Sequence, residues 1–154
     1  MAERQVTHSS FTIEKAYDAT PAQVFGAFAD AETKRKWFKG GEELGYELDF
    51  RIGGTEMSKG RFHGGIVSEF FATYYDIVEN QRIVTAYEMY LDGNRISVSL
   101  STTEIELDGD KTKLVYTEQG VYLDGYDKPE MREQGTIVLL GQLGEFLAGA
   151  RLEA

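Results

Sequence analysis

Alternating apolar and polar residues predict that most of the chain between residues 43 and 122 forms β-strands. Tight turns separate the alternating runs: glycine pairs stand at 53–54 and 64–65, and Asp92-Gly93-Asn94 and Asp108-Gly109-Asp110 are typical of β-hairpins. A further run with the same alternation lies near the N-terminus. The pattern predicts strands at residues 11–17, 43–52, 55–62, 68–78, 82–91, 95–107 and 111–122.

Helical patterns flank this strand region. Thr20-Pro21 predicts a helix start, because threonine can cap free amides and proline fits the first helical position. Asp30 begins a second short helix that ends at the glycines 40–41. In residues 129–151, apolar residues recur at helical spacing and form one stripe, interrupted by four glycines that indicate a close neighbour or a space beside the helix.

These elements predict an α+β fold. Consecutive hairpins indicate a curved antiparallel sheet of about six or seven strands, and the long C-terminal helix must cover its apolar face, with a cavity between them. The strand at 95–107 carries one irregularity, since its apolar residues are even-numbered up to Leu100 and odd-numbered from Ile105. Because one extra residue exchanges the two faces, this switch predicts a bulge near residues 101–103.

The composition excludes several classes of protein. The chain of 154 residues is long enough for one domain, residues 1–154, with a substantial core. Its 26 acidic and 16 basic side chains give a net charge of −10, which disfavours nucleic acids and membranes as partners. The absence of cysteine excludes disulfides, thiolate metal sites and thiol nucleophiles. The polar N-terminal residues do not resemble a signal peptide, so we expect a cytoplasmic protein.

Six segments of the chain resemble one known family. They lie at residues 11–25, 36–38, 49–54, 75–84, 112–120 and 135–147, and their order and spacing are together specific. The chain resembles the heat-shock-protein-90 ATPase activator-like family of the START/SRPBCC superfamily, in particular its stand-alone bacterial branch. The resemblance implies a helix-grip fold around a cavity for a hydrophobic small molecule. This chain has Glu118 where the family often has histidine, and Thr136 where the family often has tryptophan.

Aromatic and polar residues with inward strand parity are the candidate ligand contacts. Glu118 shares its parity with Leu114 and Tyr116, so we expect it to face the interior, where a carboxylate is costly unless it is protonated or paired. Arg51 and Arg132 are the candidate partners. The predicted ligand-binding residues are Trp37, Arg51, His63, Tyr75, Tyr87, Tyr116, Glu118, Tyr122, Arg132 and Thr136. His63 is interpreted as a hydrogen-bonding group at the cavity mouth rather than a metal ligand.

Three functions remain open at this point. The first is binding of a lipid-like or other hydrophobic small molecule, without a cofactor or metal, since no nucleotide fingerprint or ligand cluster is present. The second is a cyclase or hydrolase of a hydrophobic substrate that uses Glu118 and tyrosines. The third is an interaction module such as a chaperone accessory, and assembly into a homodimer is also open. A cavity with paired titratable groups would favour the enzyme, and an almost wholly apolar cavity would favour binding.

Overall fold

The computed structural model describes the backbone of residues 3–153, and the side chains of that range except those at 63 and 150–153. Seven strands and three α-helices form this part of the chain, with one short 3₁₀ turn at His63–Gly65. In chain order they are β1 (Val6–Tyr17), α1 (Pro21–Ala29), α2 (Ala31–Trp37), β2 (Glu42–Leu48), β3 (Thr55–Arg61), β4 (Val67–Val78), β5 (Arg82–Leu91), β6 (Asn94–Asp108), β7 (Lys111–Leu123) and α3 (Pro129–Glu153).

The seven strands form one antiparallel sheet in the order β1-β7-β6-β5-β4-β3-β2. From β2 onward each strand pairs with the next along the chain, whereas β1 pairs with the last strand. Val6 lies opposite Leu123 and Tyr17 opposite Thr112. The helices α1 and α2 therefore carry the chain from one edge of the sheet to the other. The predicted helix-grip architecture is confirmed.

Local signals in the sequence position the two short helices. The Thr20 hydroxyl accepts a hydrogen bond from the Gln23 amide at 3.1 Å, and the Gln23 side chain accepts one from the Thr20 amide at 2.8 Å. The Asp30 carboxylate caps α2 by accepting a hydrogen bond from the Thr33 amide at 2.9 Å. The indole of Trp37 donates to the carbonyl of Ala27 at 2.9 Å, which joins α2 to α1.

The second strand is shorter than predicted. β2 ends at Leu48, and residues 49–54 form a tight turn instead of continuing the strand. The Gly54 amide donates to the carbonyl of Arg51 at 2.8 Å. Gly53 has a φ of 84°, and a side chain at Gly54 would collide with the carbonyl of Asp49. The apolar residues at 50 and 52 predict a continuing strand. The turn that contains Gly53 and Gly54 instead ends the pairing of β2 with β3 at Leu48.

The irregularity in β6 lies at a different place from the predicted bulge. Ser97 pairs with Met89 and Arg95 pairs with Tyr90, which leaves Ile96 as the extra residue. The ladder is regular through residues 101–103. The prediction of a bulge there was wrong because it assumed that every apolar residue faces the core.

The inner face of β6 carries small polar residues. Ser97, Ser99, Ser101 and Thr103 are buried, while the apolar residues between them stand on the outer face, where Val98 is 44% and Leu100 is 41% exposed. Small side chains on the inner face fill less of the space between the sheet and α3 than leucine or valine would.

The apolar stripe of α3 packs against the sheet. Leu140, Leu143 and Leu147 are buried in the main core together with residues of β1 and α1. The Tyr17 hydroxyl donates to the carbonyl of Leu140 at 2.7 Å, and the ring of Tyr17 lies so close to Gly144 that a Cβ there would stand 3.2 Å from it. Among the described residues, no helix is long and apolar enough to cross a membrane.

Candidate binding pocket

A pocket of about 510 Å³ lies between the inner face of the sheet and the helices α2 and α3. Aromatic and aliphatic side chains form much of its wall, including Phe28, Phe38, Phe70, Ile83, Leu139 and Leu140. Small residues of the inner strand faces leave the space open: Ser58, Gly60, Ser68, Thr85, Ser101 and Thr103. Phe62, Met131 and Val138 line it and are exposed, so the pocket opens between the β3–β4 connection and α3.

One buried polar group lies at the end of the pocket near the start of α3. We call it the Glu118 cluster, and it consists of Glu118, Tyr87, Tyr116, Arg132 and Asp127. The hydroxyls of Tyr87 and Tyr116 donate to Glu118 Oε1 at 2.6 and 2.7 Å. Arg132 Nη1 donates to the Tyr87 hydroxyl at 3.1 Å, and Nη2 donates to Asp127 Oδ2 at 3.0 Å.

Arg132 is held on several sides. It is 8% exposed, donates to Ser97 Oγ at 2.8 Å, and its guanidinium lies 5.2 Å from the ring centre of Tyr122. Burial alone would lower the pKa of Arg132, but electrostatic interactions with neighbouring groups, chiefly Tyr87 and Glu118, raise it above its usual value. The residue therefore carries a permanent positive charge at this end of the pocket.

Glu118 stands behind the two tyrosine hydroxyls rather than on the pocket wall. It is 1% exposed, and Arg132 Nη1 lies 3.8 Å from its Oε2 atom. Among the described side chains, Glu118 Oε2 and Ser99 Oγ are buried polar atoms without a hydrogen-bond partner. The predicted inward orientation of Glu118 thus agrees with the structure, but Tyr116 and Tyr87, not the carboxylate, present their hydroxyls to the pocket.

A second buried polar group, the Glu56 cluster, lies at the opposite end and consists of Glu56, Lys34, Tyr46 and Tyr74. Lys34 Nζ and the Tyr74 hydroxyl donate to Glu56 Oε1 at 2.7 and 2.6 Å, and the Tyr46 hydroxyl donates to Oε2 at 2.7 Å. Lys34 Nζ also lies 4.5 Å from the ring centre of Phe38. All four members of the cluster line the pocket.

Sequence reasoning missed the Glu56 cluster. A signal was available, since Lys34 stands three residues before Trp37 and therefore shares its face of α2. Glu56 offered none, because its neighbours in β3 do not alternate between apolar and polar types in a way that marks the inner face. The partners come from α2, β2, β3 and β4, and their meeting depends on the tertiary structure.

The ten predicted ligand contacts fall into three groups. Tyr87, Tyr116, Glu118 and Arg132 come together in the Glu118 cluster, Tyr122 packs on Arg132, and Thr136 and Trp37 line the pocket. Arg51 and Tyr75 lie outside the pocket: the Arg51 side chain is 68% exposed and binds Asp49 at 2.8 Å, and Tyr75 is 62% exposed. Of the two candidate partners of Glu118, Arg132 lies beside it and Arg51 does not, because Arg51 belongs to the turn at residues 49–54 and binds Asp49. The side chain of His63 lies outside the described residues.

The tyrosines of both clusters keep their protons. Burial, and after it the nearby carboxylate, raises the pKa of Tyr46 and Tyr74 above the usual value of a phenol. Burial likewise raises the pKa of Tyr87 and Tyr116, and it raises the pKa of Tyr122 to about 12. The phenols are therefore hydrogen-bond donors to carboxylates that hold their orientation. Among the described side chains, no three histidine or carboxylate groups gather as a metal site requires.

An antiparallel sheet that holds one long C-terminal helix over a partly polar pocket defines a helix-grip fold. The chain belongs to the family described as Activator of Hsp90 ATPase homolog 1-like protein, whose family model matches residues 18–148. Comparison with curated proteins gives no significant match.

Several solved structures are similar to this chain. A protein from Rhizobium leguminosarum is 44% identical, with 95% of this chain and 98% of that chain covered and a TM-score of 0.91. The Mll3558 protein from Rhizobium loti is also 44% identical, with 93% and 99% covered and a TM-score of 0.87. CalU16 from Micromonospora echinospora is 18% identical, with 99% and 90% covered and a TM-score of 0.61, and it shares the fold.

Proposed function

We propose that the protein binds a small, largely apolar molecule in the pocket between the sheet and α3. The observation that carries this proposal is the pocket itself, whose volume of about 510 Å³ lies in the range typical of small-molecule sites. Its wall combines many aromatic and aliphatic side chains with two fixed polar clusters. Such a wall gives binding energy through apolar contact and orientation through a few hydrogen bonds.

The placement of small residues supports this proposal. Serine and threonine occupy inner positions of β6 where larger apolar residues would close the space, while Val98 and Leu100 stand on the outer face. Protein interiors are normally close-packed, and an unfilled volume of this size costs stability. A ligand that fills the pocket would recover the lost contacts. A module acting only through its surface has no need of this space.

Trp37 provides a direct test of binding, because it lines the pocket and is the only tryptophan in the chain. The probe is N-phenyl-1-naphthylamine, an uncharged fluorophore that accepts energy from tryptophan. We expect saturable energy transfer from Trp37 to the bound probe. Native mass spectrometry of freshly purified protein then shows whether a natural ligand is retained.

Two leucine substitutions separate binding in the pocket from binding at the surface. Ser101→Leu places a larger side chain into the pocket, and we expect it to weaken probe binding by about tenfold or more. Thr102→Leu is the matched control on the outer face of β6 and should bind as the wild type does. Equal binding by both variants, or no saturable binding by the wild type, would overturn the proposal.

One observation favours the alternative of an enzyme: paired titratable groups, Lys34 with Glu56 and Arg132 with Asp127, line the pocket. A hydrolase of apolar esters would cleave p-nitrophenyl butyrate in a pocket-dependent manner. Turnover by the wild type that is lost in Ser101→Leu and kept in Thr102→Leu would support this second candidate. We favour binding, because the protons and charges of both clusters are already engaged in mutual contacts.

A further inference from the structure

The direction of the hydrogen bonds in the Glu56 cluster determines what the pocket can offer a ligand. Tyr46 and Tyr74 each give their only hydroxyl proton to Glu56, at 2.7 and 2.6 Å. Tyr74 also accepts a hydrogen bond from Lys34 at 3.3 Å. The Tyr46 oxygen therefore has unused lone pairs but no free proton. At this end the phenol hydroxyls can accept hydrogen bonds from a ligand and cannot donate them.

The same direction recurs at the opposite end of the pocket. Tyr87 and Tyr116 give their protons to Glu118, at 2.6 and 2.7 Å. Thr136, the next polar residue on the α3 side of the wall, gives its proton to the carbonyl of Arg132 at 2.8 Å. The carboxylates therefore orient the hydroxyls on both sides, and Tyr116 and Thr136 offer mainly lone pairs to the pocket.

We propose that the two tyrosine-lined ends of the pocket select hydrogen-bond donors, so that the ligand is an apolar molecule whose hydroxyl or N–H groups point to these ends. This inference rests on the proposed function. A ligand hydroxyl can donate to Tyr46 without displacing any internal hydrogen bond, and at Tyr116 it would share the oxygen with the Ser101 hydroxyl. A ligand carbonyl or ether oxygen at the same place meets another acceptor, and both groups lose their hydration without compensation.

The charges at the Glu118 end of the pocket act in the same direction. Lys34 and Glu56 balance each other at the other end, and Arg35, Lys39, Lys59 and Glu43 also line the pocket. At the Glu118 end the two carboxylates of Glu118 and Asp127 surround the single guanidinium of Arg132, which leaves a net negative charge. A carboxylate that entered the pocket would be repelled there, and it would gain no donor from the tyrosines. The Glu118 end is therefore expected to favour neutral alcohols or phenols over anions of similar shape.

Three naphthalene probes of matched shape test this inference. 2-Naphthol has a hydroxyl donor, 2-methoxynaphthalene has only an acceptor oxygen, and 2-naphthoate is an anion. Competition against N-phenyl-1-naphthylamine at neutral pH gives their relative affinities. We expect 2-naphthol to bind about five- to tenfold more tightly than the methyl ether, the usual effect of one hydrogen bond, and more tightly than the naphthoate. Equal affinity of naphthol and ether, or tightest binding of the naphthoate, would overturn the inference.

Phenylalanine variants locate the acceptors. Tyr46→Phe and Tyr116→Phe remove the acceptor oxygens, and at least one should reduce the preference for naphthol over its ether while leaving the affinity for the ether nearly unchanged. Tyr90→Phe is the matched control, since the Tyr90 hydroxyl also donates to a carboxylate, Glu88, but away from the pocket. If both Tyr46→Phe and Tyr116→Phe still prefer 2-naphthol over its methyl ether, the inference about donor selection is wrong, while the proposed function is unaffected. Failure of 2-naphthol to displace bound N-phenyl-1-naphthylamine also contradicts the inference, whereas the absence of saturable N-phenyl-1-naphthylamine binding would contradict the proposed function.

Discussion

Glu118 and Glu56 each accept hydrogen bonds from two tyrosines, and each has one cation close to it. An ionised carboxylate without such partners is very unfavourable in a protein interior. The two residues therefore depend on their clusters, and the clusters depend on the fold that brings several elements together. A single substitution in a cluster should therefore change both the stability of the fold and the affinity of the pocket.

Glu118→Gln keeps the shape of the side chain and removes its charge. We expect the free energy of unfolding to fall by about 1–3 kcal/mol, because two hydrogen bonds to a charged acceptor weaken and Arg132 loses a counter-charge. Because the Tyr87 and Tyr116 hydroxyls are then less firmly oriented, probe affinity should change by a similar amount. Urea unfolding and probe titration measure the two effects. Glu104→Gln, on the exposed part of β6, is the control and should change neither.

The sequence predicted one of the two clusters in part. Strand parity placed Glu118 with Leu114 and Tyr116 on the inner face, because alternation is a local property of a strand. Arg132 was one of two candidate counter-charges, and the sequence could not choose between it and Arg51 because the choice depends on how residues 49–54 turn. The Glu56 cluster joins residues from four elements, so no local pattern predicted it.

At the scale of secondary structure elements, the inner face of β6 and its contact with β7 limit the size of the side chains. Gly120 lies opposite Ser99, and a Cβ at Gly120 would stand 2.8 Å from Ser99 Oγ. Such a distance is shorter than a van der Waals contact, so the serine would have to rotate. The two positions are therefore expected to be energetically coupled.

Gly120→Ala should destabilise the protein by about 1 kcal/mol or more through this crowding. Ser99→Ala should be neutral or stabilising, because it removes a buried hydroxyl that has no hydrogen-bond partner. In the double variant most of the loss should disappear, since the clash is with the serine oxygen. A double-mutant cycle in urea measures this coupling, and strict additivity of the two substitutions would contradict the close contact.

Leu143→Ala tests the packing of α3 on the sheet. Leu143 is fully buried in the main core, so the variant should lose about 2–5 kcal/mol of unfolding free energy. Val138→Ala on the exposed side of the same helix should change stability by less than about 0.5 kcal/mol. A loss below about 1 kcal/mol for Leu143→Ala, measured by urea unfolding, would be inconsistent with this packing.

Most elements followed from the sequence because their signals are local. Alternation and hairpin turns predicted the strands, and Thr20 and Asp30 marked the two helix starts. The wrong predictions, the bulge at residues 101–103 and the strand at residues 49–52, have one origin. Both assumed that apolar residues face the core. Val98 and Leu100 stand on the outer face, and the apolar part of residues 49–52 belongs to a turn. The inner face of β6 carries small residues because a pocket lies between it and α3. The sequence pattern of one strand does not indicate such a pocket, since it forms only in the tertiary structure.

At the scale of the whole molecule, the buried phenols link stability to alkaline pH. Tyr17, Tyr46, Tyr74, Tyr87 and Tyr116 have pKa values raised by burial, whereas in the unfolded chain they titrate near pH 10. Stability from this source is complete below about pH 10 and is lost as the pH rises above it, because the unfolded chain releases protons that the folded protein retains.

Ultraviolet difference titration at about 295 nm should therefore show that at least five of the nine tyrosines remain protonated in the folded protein near pH 11. In denaturant all nine should ionise with a midpoint near pH 10. The free energy of unfolding in urea should decrease between about pH 10 and 11. Simultaneous ionisation of all nine tyrosines in a protein that is still folded would contradict the burial of these phenols.

The pairing of the first strand with the last has a consequence for biosynthesis. The hairpins from β4 to β7 can form as they leave the ribosome, whereas Phe11, Ile13 and Tyr17 of β1 have no partner strand until β7 has been made. Closing so long a loop adds an entropic barrier to this step. A nascent chain that stalls before β7 would leave β1 and the outer edge of β6 without their partner strand, and open strand edges are the surfaces through which incomplete β-proteins aggregate.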